Sequence, residues 1–173
     1  LRVAEGSQAA PMRSGASRST GTLTVAADAA VAGRSVVLDA TKETTVAGAL
    51  EIGTLDKGSR SGGALAIGAG RINVVGNAPL PSDGFNLRPA DMARLAAVDQ
   101  LRLTSYSTLD FYDNATLGAA TLKELIVSAG GIAGHGSSSD TASIAAQQVR
   151  FENGNGSDAG FVAGGEGKLQ VNA

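Results

Sequence analysis

The sequence predicts an all-β protein, a parallel β-helix whose short strands stack coil on coil, with an antiparallel β-sandwich as the alternative. Three observations favour the stacked form. Short phrases repeat in composition as well as length: Gly21-Thr22-Leu23-Thr24-Val25 runs on to Ala30-Val31-Ala32-Gly33, Ser35-Val36-Val37-Leu38-Asp39 to Thr45-Val46-Ala47-Gly48, and Gly63-Ala64-Leu65-Ala66-Ile67 to Arg71-Ile72-Asn73-Val74-Val75-Gly76. Asn-Gly hairpin turns are scarce between these runs. The inward positions are small and aliphatic, as stacking of like on like requires.

Composition agrees. The 173 residues are 43% hydrophobic but only 3% aromatic, so Ala, Val, Leu and Ile must fill a narrow interior. Gly supplies 24 residues, well above the usual share of about 7%, yet there is no Gly-X-Y period. The net charge of −2 is spread along the chain, with no basic stripe for nucleic acid or anionic membrane. No apolar run approaches the ~18 residues of a membrane span. The absence of Cys removes disulfides and thiolate metal sites. It suits a chain that crosses an envelope unfolded.

Taken in order, residues 1–5 read as a strand and 6–20 as a loop broken by Pro11. Alternation at Leu23/Val25, Val36/Leu38, Leu50/Ile52, Leu65/Ile67 and Ile72/Val74 has the period of a half-buried strand. Leu23, Val36 and Leu50, spaced by 13 and 14 residues, are expected at equivalent places, with Leu65 next after the loop 56–63. Residues 77–98 interrupt the pattern. Pro79-Leu80-Pro81-Ser82-Asp83-Gly84 is a turn cluster, and Pro89 opens a helix expected to reach Val98. Met92, Leu95 and Ala96 would share one face of it. Strands resume at Leu101/Leu103, Leu109/Phe111, Leu117, Leu122, Leu125/Val127 and Ile132, which should form the densest core. Ile144, Val149/Phe151, Phe161/Val162 and Leu169/Val171 complete the series, broken by loops 134–140 and 153–160. At about 20 to 25 residues per coil, roughly seven or eight coils fit, a rod of about 35 Å. The chain starts at Leu1 and stops within an alternating run, so both ends are expected to be cut from a longer protein. Open strand edges at such ends would favour end-to-end self-association.

Several pieces carry a family likeness: the run from Gly21 through Thr22-Leu23-Thr24-Val25 to Arg34, Ser35 through Asp39 to Thr41, Ala64 through Arg71 to Asn77, the insertion from Gly84 to Asp99, and Gln100 through Phe111 to Asn114. With them the chain resembles the filamentous haemagglutinin-like exoproteins, large adhesins of Gram-negative two-partner secretion systems. The resemblance implies a right-handed parallel β-helix, exported with the help of an outer-membrane secretion partner and forming part of a fibre on the cell surface. Nothing corresponds to that family's amino-terminal secretion domain, so an internal shaft segment is expected. The resemblance carries over no catalytic residue and no cofactor, and no enzyme activity is expected.

Candidate sites are few. The insertion offers the best one, with Phe85, Arg88, Asp91 and Arg94 as ligand-binding residues for a host glycan or protein. His135, the only histidine, reads as a loop residue, because Ser137 and Asp140 lie too near in sequence to complete a triad. Asp110 and Asp113 could act as paired carboxylates, but Asp110 reads better as a solvated strand-edge charge. Asn153-Gly154-Asn155-Gly156-Ser157-Asp158 partly matches a calcium-binding nonapeptide without the tandem copy such sites need. Gly167-Lys168 lacks the hydroxyl residue of a phosphate loop. Asn114-Ala115-Thr116 and Asn155-Gly156-Ser157 match the glycosylation triplet. A polysaccharide lyase would need charges converging on one sheet face, whereas Arg102 and Arg150 are expected to stand alone.

Overall fold

The computed structural model describes residues 1–16, 18–95, 97–156 and 167–173. The protein is all-β, with one short helix among the described residues. In chain order the strands are β1 (Arg2–Ala4), β2 (Thr22–Val25), β3 (Ala30–Gly33), β4 (Ser35–Asp39), β5 (Glu43–Val46), β6 (Ala49–Ile52), β7 (Thr54–Asp56), β8 (Ser59–Ser61), β9 (Ala64–Ala69), β10 (Ile72–Val75) and β11 (Phe85–Leu87). Helix α1 (Pro89–Leu95) follows. Then come β12 (Gln100–Ser105), β13 (Thr108–Tyr112), β14 (Thr116–Gly118), β15 (Glu124–Ser128), β16 (Gly131–Gly134), β17 (Thr141–Ala145), β18 (Val149–Glu152) and β19 (Lys168–Asn172).

The largest sheet runs β1-β4-β9-β12-β15-β18, and its last five strands are all parallel. A second sheet runs β11-β10-β13-β16 and a third β14-β17-β19, both parallel. β2 with β5 and β3 with β6 form two further parallel pairs. Register places like on like. Val36, Leu65, Leu101, Leu125 and Val149 stand in one row, and Leu38, Ile67, Leu103, Val127 and Phe151 in the next. From Val36 through Leu125 these rows are no more than 2% exposed, because every neighbour covers the side chain above and below it. Leu109 and Phe111 stack on Ile72 and Val74, and Leu117 on Ile144.

The expected equivalence of Leu23, Val36 and Leu50 is not what forms. They lie in three different sheets: Leu23 opposes Thr44, Val36 opposes Leu65, and Leu50 opposes Val31. The composition phrase repeats once per strand, whereas burial repeats once per return of the chain to the same sheet. Those returns take 29 positions from Val36 to Leu65, 36 to Leu101, and 24 each to Leu125 and Val149. Five parallel strands therefore share the largest sheet, fewer than the seven or eight coils expected. The two longest returns carry extra elements. The first holds the hairpin of β7 and β8, where Lys57 (φ 48) and Gly58 (φ 86) make the two-residue turn with positive φ at both centres. The second holds β11 and α1.

At the other end, β1 pairs antiparallel with β4 and covers its edge. The chain then crosses the outer face of the largest sheet. Gln8 Nε2 donates to the Ser35 carbonyl, Arg13 Nε reaches Asp39 Oδ2 at 2.7 Å, and Arg13 N donates to Asn155 Oδ1. The segment from Gln8 to Arg13 is thus a strap that ties the first strands to the turn after β18. Ile132, Phe151, Leu169 and Val171 lie on the last strands of their sheets and stay between 41% and 48% exposed; Ile132 is not part of the dense core expected for it. Phe161 and Val162 lie outside the described residues.

Candidate functional site

The insertion is built into the stack. Residues 76–84 leave the end of β10, and β11 returns alongside it in parallel, Ile72 opposite Phe85 and Val74 opposite Leu87. Phe85 and Leu87 join the core at 6% and 1% exposure. The helix starts at Pro89, as expected, and ends at Leu95 rather than Val98. Arg88 is its N-cap. The Asp91 carboxylate reaches back to accept from Arg88 N at 2.9 Å, and the Arg88 carbonyl accepts from Asp91 N and Met92 N. Leu95 is buried, Met92 is half-buried with its sulfur accepting from Gly118 N, and Ala96 lies outside the described residues. α1 therefore touches β14 on one side and borders β6 on the other. It takes the place of a strand on that face.

This substitution opens a cavity. β11 runs beside β5, but no ladder joins them. At the start of β5 the layers still touch: Gly70 N donates to the Lys42 carbonyl at 3.0 Å and Thr44 Oγ1 to the Gly68 carbonyl at 2.7 Å. Beyond that point the edges of β5 and β11 part around about 470 Å³ of space, with Ile67, Leu87 and Leu95 among its walls and Leu80 at 47% exposure beside it. Gly48 also lines it. A Cβ there would stand 2.3 Å from the carbonyls of Ala26 and Ala29, so only glycine lets the chain turn this tightly from β5 into β6. Glu43, Asp91 and Arg94 supply the charged groups, with Arg94 held to Asp91 at 2.5 Å.

Of the four residues singled out in the sequence, Phe85, Asp91 and Arg94 line this cavity; Arg88 does not. Sequence reasoning missed the β5 side, Glu43 to Leu50, because nothing in a linear pattern says where two sheet edges part.

A second polar cluster lies on the outer face of the second sheet. Asp110 is not a solvated edge charge: it is 2% exposed. Arg71 Nε stands 3.4 Å from its Oδ2, and His135 Nε2 bonds the same oxygen at 2.9 Å. His135 lies exposed in the loop after β16, as expected, and stacks there on Tyr112 with ring centroids 4.5 Å apart. Asn73 opposes Asp110 in register and donates to Asn86 Oδ1 and the Asp83 carbonyl. Burial is the main cause that raises the Tyr112 phenol, with the Asp110 charge adding to it. No hydroxyl nucleophile bonds His135 among the described residues, so the pair is an acid–imidazole dyad without the third member of a triad.

The remaining candidates also find structural partners. Arg102 and Arg150 do not stand alone: Arg102 bonds Glu152 at 2.7 Å, and Arg150 bonds Glu152 at 3.0 Å and approaches Glu124. Gln100 donates to Glu124 beside them. Asn114 of the glycosylation triplet donates to Asp140 Oδ1 and accepts from Thr141 N. Asn155 is buried beneath Arg13, while Ser157, Asp158 and residues 164–166 lie outside the described residues. No group of three or more His, Asp or Glu able to hold a metal occurs among the described residues, and none of their helices is long and apolar enough to cross a membrane. No family model, curated protein or solved structure matches the chain.

Proposed function

We propose that the chain is a right-handed parallel β-helix segment forming the shaft of a secreted surface adhesin of the filamentous haemagglutinin type. The observation that supports this reading is the in-register row Val36, Leu65, Leu101, Leu125 and Val149, whose members each cover the next. Such stacking makes a stiff rod from short elements and needs neither disulfide nor metal. The role is structural rather than catalytic. The proposed partner is an outer-membrane secretion protein acting on the parent chain. Antibodies raised against the segment should label intact cells that make the parent protein, and deleting the secretion partner should abolish that label. Label confined to lysed cells would overturn the reading.

The cavity beside α1 favours a second role on the same shaft, a local binding module for a host glycan or protein. Sites of this kind are concave, mostly apolar and carry a few polar groups. The module cannot be tested by deleting 77–98, because Phe85, Leu87, Leu95 and Val98 belong to the core. Leu80→Glu, at an exposed position, is the better variant. It should reduce binding of the segment to host cells or a glycan array without lowering its melting temperature. Equal binding by both proteins would remove this role.

A further inference from the structure

Resting on the binding-module reading, the geometry points to a specific ligand class for the cavity: we infer that it takes an extended peptide bearing one apolar side chain flanked by basic ones. Three features converge on this. The interior is lined by Ile67, Leu87 and Leu95 and suits a large apolar side chain. The edges of β5 and β11 face each other with no ladder between them, leaving backbone groups free to pair with an incoming main chain, as strand addition requires. The charged groups are Glu43, Asp91 and Arg94, and Arg94 is already paired with Asp91. One negative charge is left over, so the flanks of the ligand should be cationic.

Strand geometry fixes the spacing. Side chains alternate, so the two neighbours of an inward-pointing residue in an extended peptide both point outward. An apolar third residue entering the cavity would turn basic second and fourth residues to the outer face, where Glu43 lies beside Thr45. A glycan would use the polar lining but leave the free strand edges and much of the apolar wall unused.

The probe is a capped, fluorescein-labelled pentapeptide of threonine, lysine, phenylalanine, lysine and threonine, titrated into the purified protein by fluorescence anisotropy. Controls carry glycine in place of phenylalanine, or glutamate in place of both lysines. The parent should bind the probe about tenfold more tightly than the glycine control and more tightly than the glutamate control. Ala49→Phe, which fills the cavity from an exposed position, should weaken binding of the probe by about tenfold or more. Glu43→Lys keeps the cavity and reverses its charge. It should weaken the lysine probe and narrow its advantage over the glutamate control, which tests the charge argument even if Ala49→Phe misfolds. Absent binding, or binding that neither variant changes, would overturn the inference. Host-cell binding lost in Leu80→Glu alongside a silent peptide titration would leave the module standing and refute only its peptide ligand.

Discussion

Asp110 Oδ2 on β13 and His135 Nε2 in the loop after β16 meet at 2.9 Å, and the carboxylate side chain is only 3% exposed. Because a carboxylate only accepts, Nε2 carries the proton. Arg71 Nε approaches the same oxygen at 3.4 Å, so one buried charge is shared by two partners that are each more than a third exposed.

That sharing predicts unequal costs. Arg71→Met leaves the buried carboxylate with His135 as its one remaining partner. It should cost about 2 kcal/mol, less than the ~3–5 kcal/mol of a fully buried pair because solvent screens Arg71. His135→Phe keeps an aromatic ring on Tyr112 and leaves Arg71 in place, so about 1 kcal/mol is expected. Urea denaturation of both variants measures the order. A larger loss in His135→Phe would contradict this account of the cluster.

The two tyrosines should titrate late. Burial, reinforced by the Asp39 carboxylate that accepts from Tyr106 Oη at 2.6 Å, pushes the Tyr106 phenol well above its ordinary 10.0. Tyr112 moves the same way. A phenol whose folded pKa is raised stabilises the fold fully below its unfolded value, and that contribution is lost as pH rises through the folded one. Ultraviolet titration of the native protein should therefore show no tyrosinate step at pH 10.0, and stability should begin to fall above it. A normal step for both rings would refute the buried Tyr106–Asp39 contact.

Much of this was legible in the sequence, and the failures share a cause. Alternation located the strand pairs Val36/Leu38 and Leu65/Ile67 because period two reports which face is buried. Pro89 marked a real helix start because its missing N–H is harmless there. Which strand stacks on which was hidden, since the lengths of turns and insertions set that register, as Leu23 opposite Thr44 shows. Asp110 looked solvated because outward alternation normally means water. Here Arg71 and His135 lie over it, and Asn73 beside it is buried under the 76–84 loop. The half of the cavity supplied by β5 had no local signal at all.

Stacking itself is tested at Val36, which is wholly buried between Val3 of β1 and Leu65 of β9. Val36→Asp places an unpaired charge there and should cost more than about 4 kcal/mol. Thr24→Asp, exposed on β2, should stay within about 0.5 kcal/mol. Thermal melts that do not separate the two variants would remove Val36 from the stacked interior.

The last prediction concerns the turn that staples β14 to β17. Asn114 uses both ends of its amide, accepting from Thr141 N at 2.9 Å and donating to Asp140 Oδ1 at 3.0 Å. Asp140 also accepts from Ser137 N and Ser137 Oγ. The Ser137 backbone bond is the main reason its carboxyl sits below the ordinary 3.8, helped by the Ser137 hydroxyl and Asn114. A carboxylate with a depressed folded pKa contributes stability above its unfolded value and loses it as pH falls through the folded one. Asn114→Ala removes two bonds and should cost about 1 kcal/mol at neutral pH. Asp140→Asn should flatten the fall in stability below pH 3.8 relative to the parent. A glycosylating enzyme would have to draw the Asn114 amide out of these two bonds, so modification of the folded protein should fail there and proceed only on the denatured chain. Modification of the native protein at Asn114, read by mass spectrometry, would show that the staple opens.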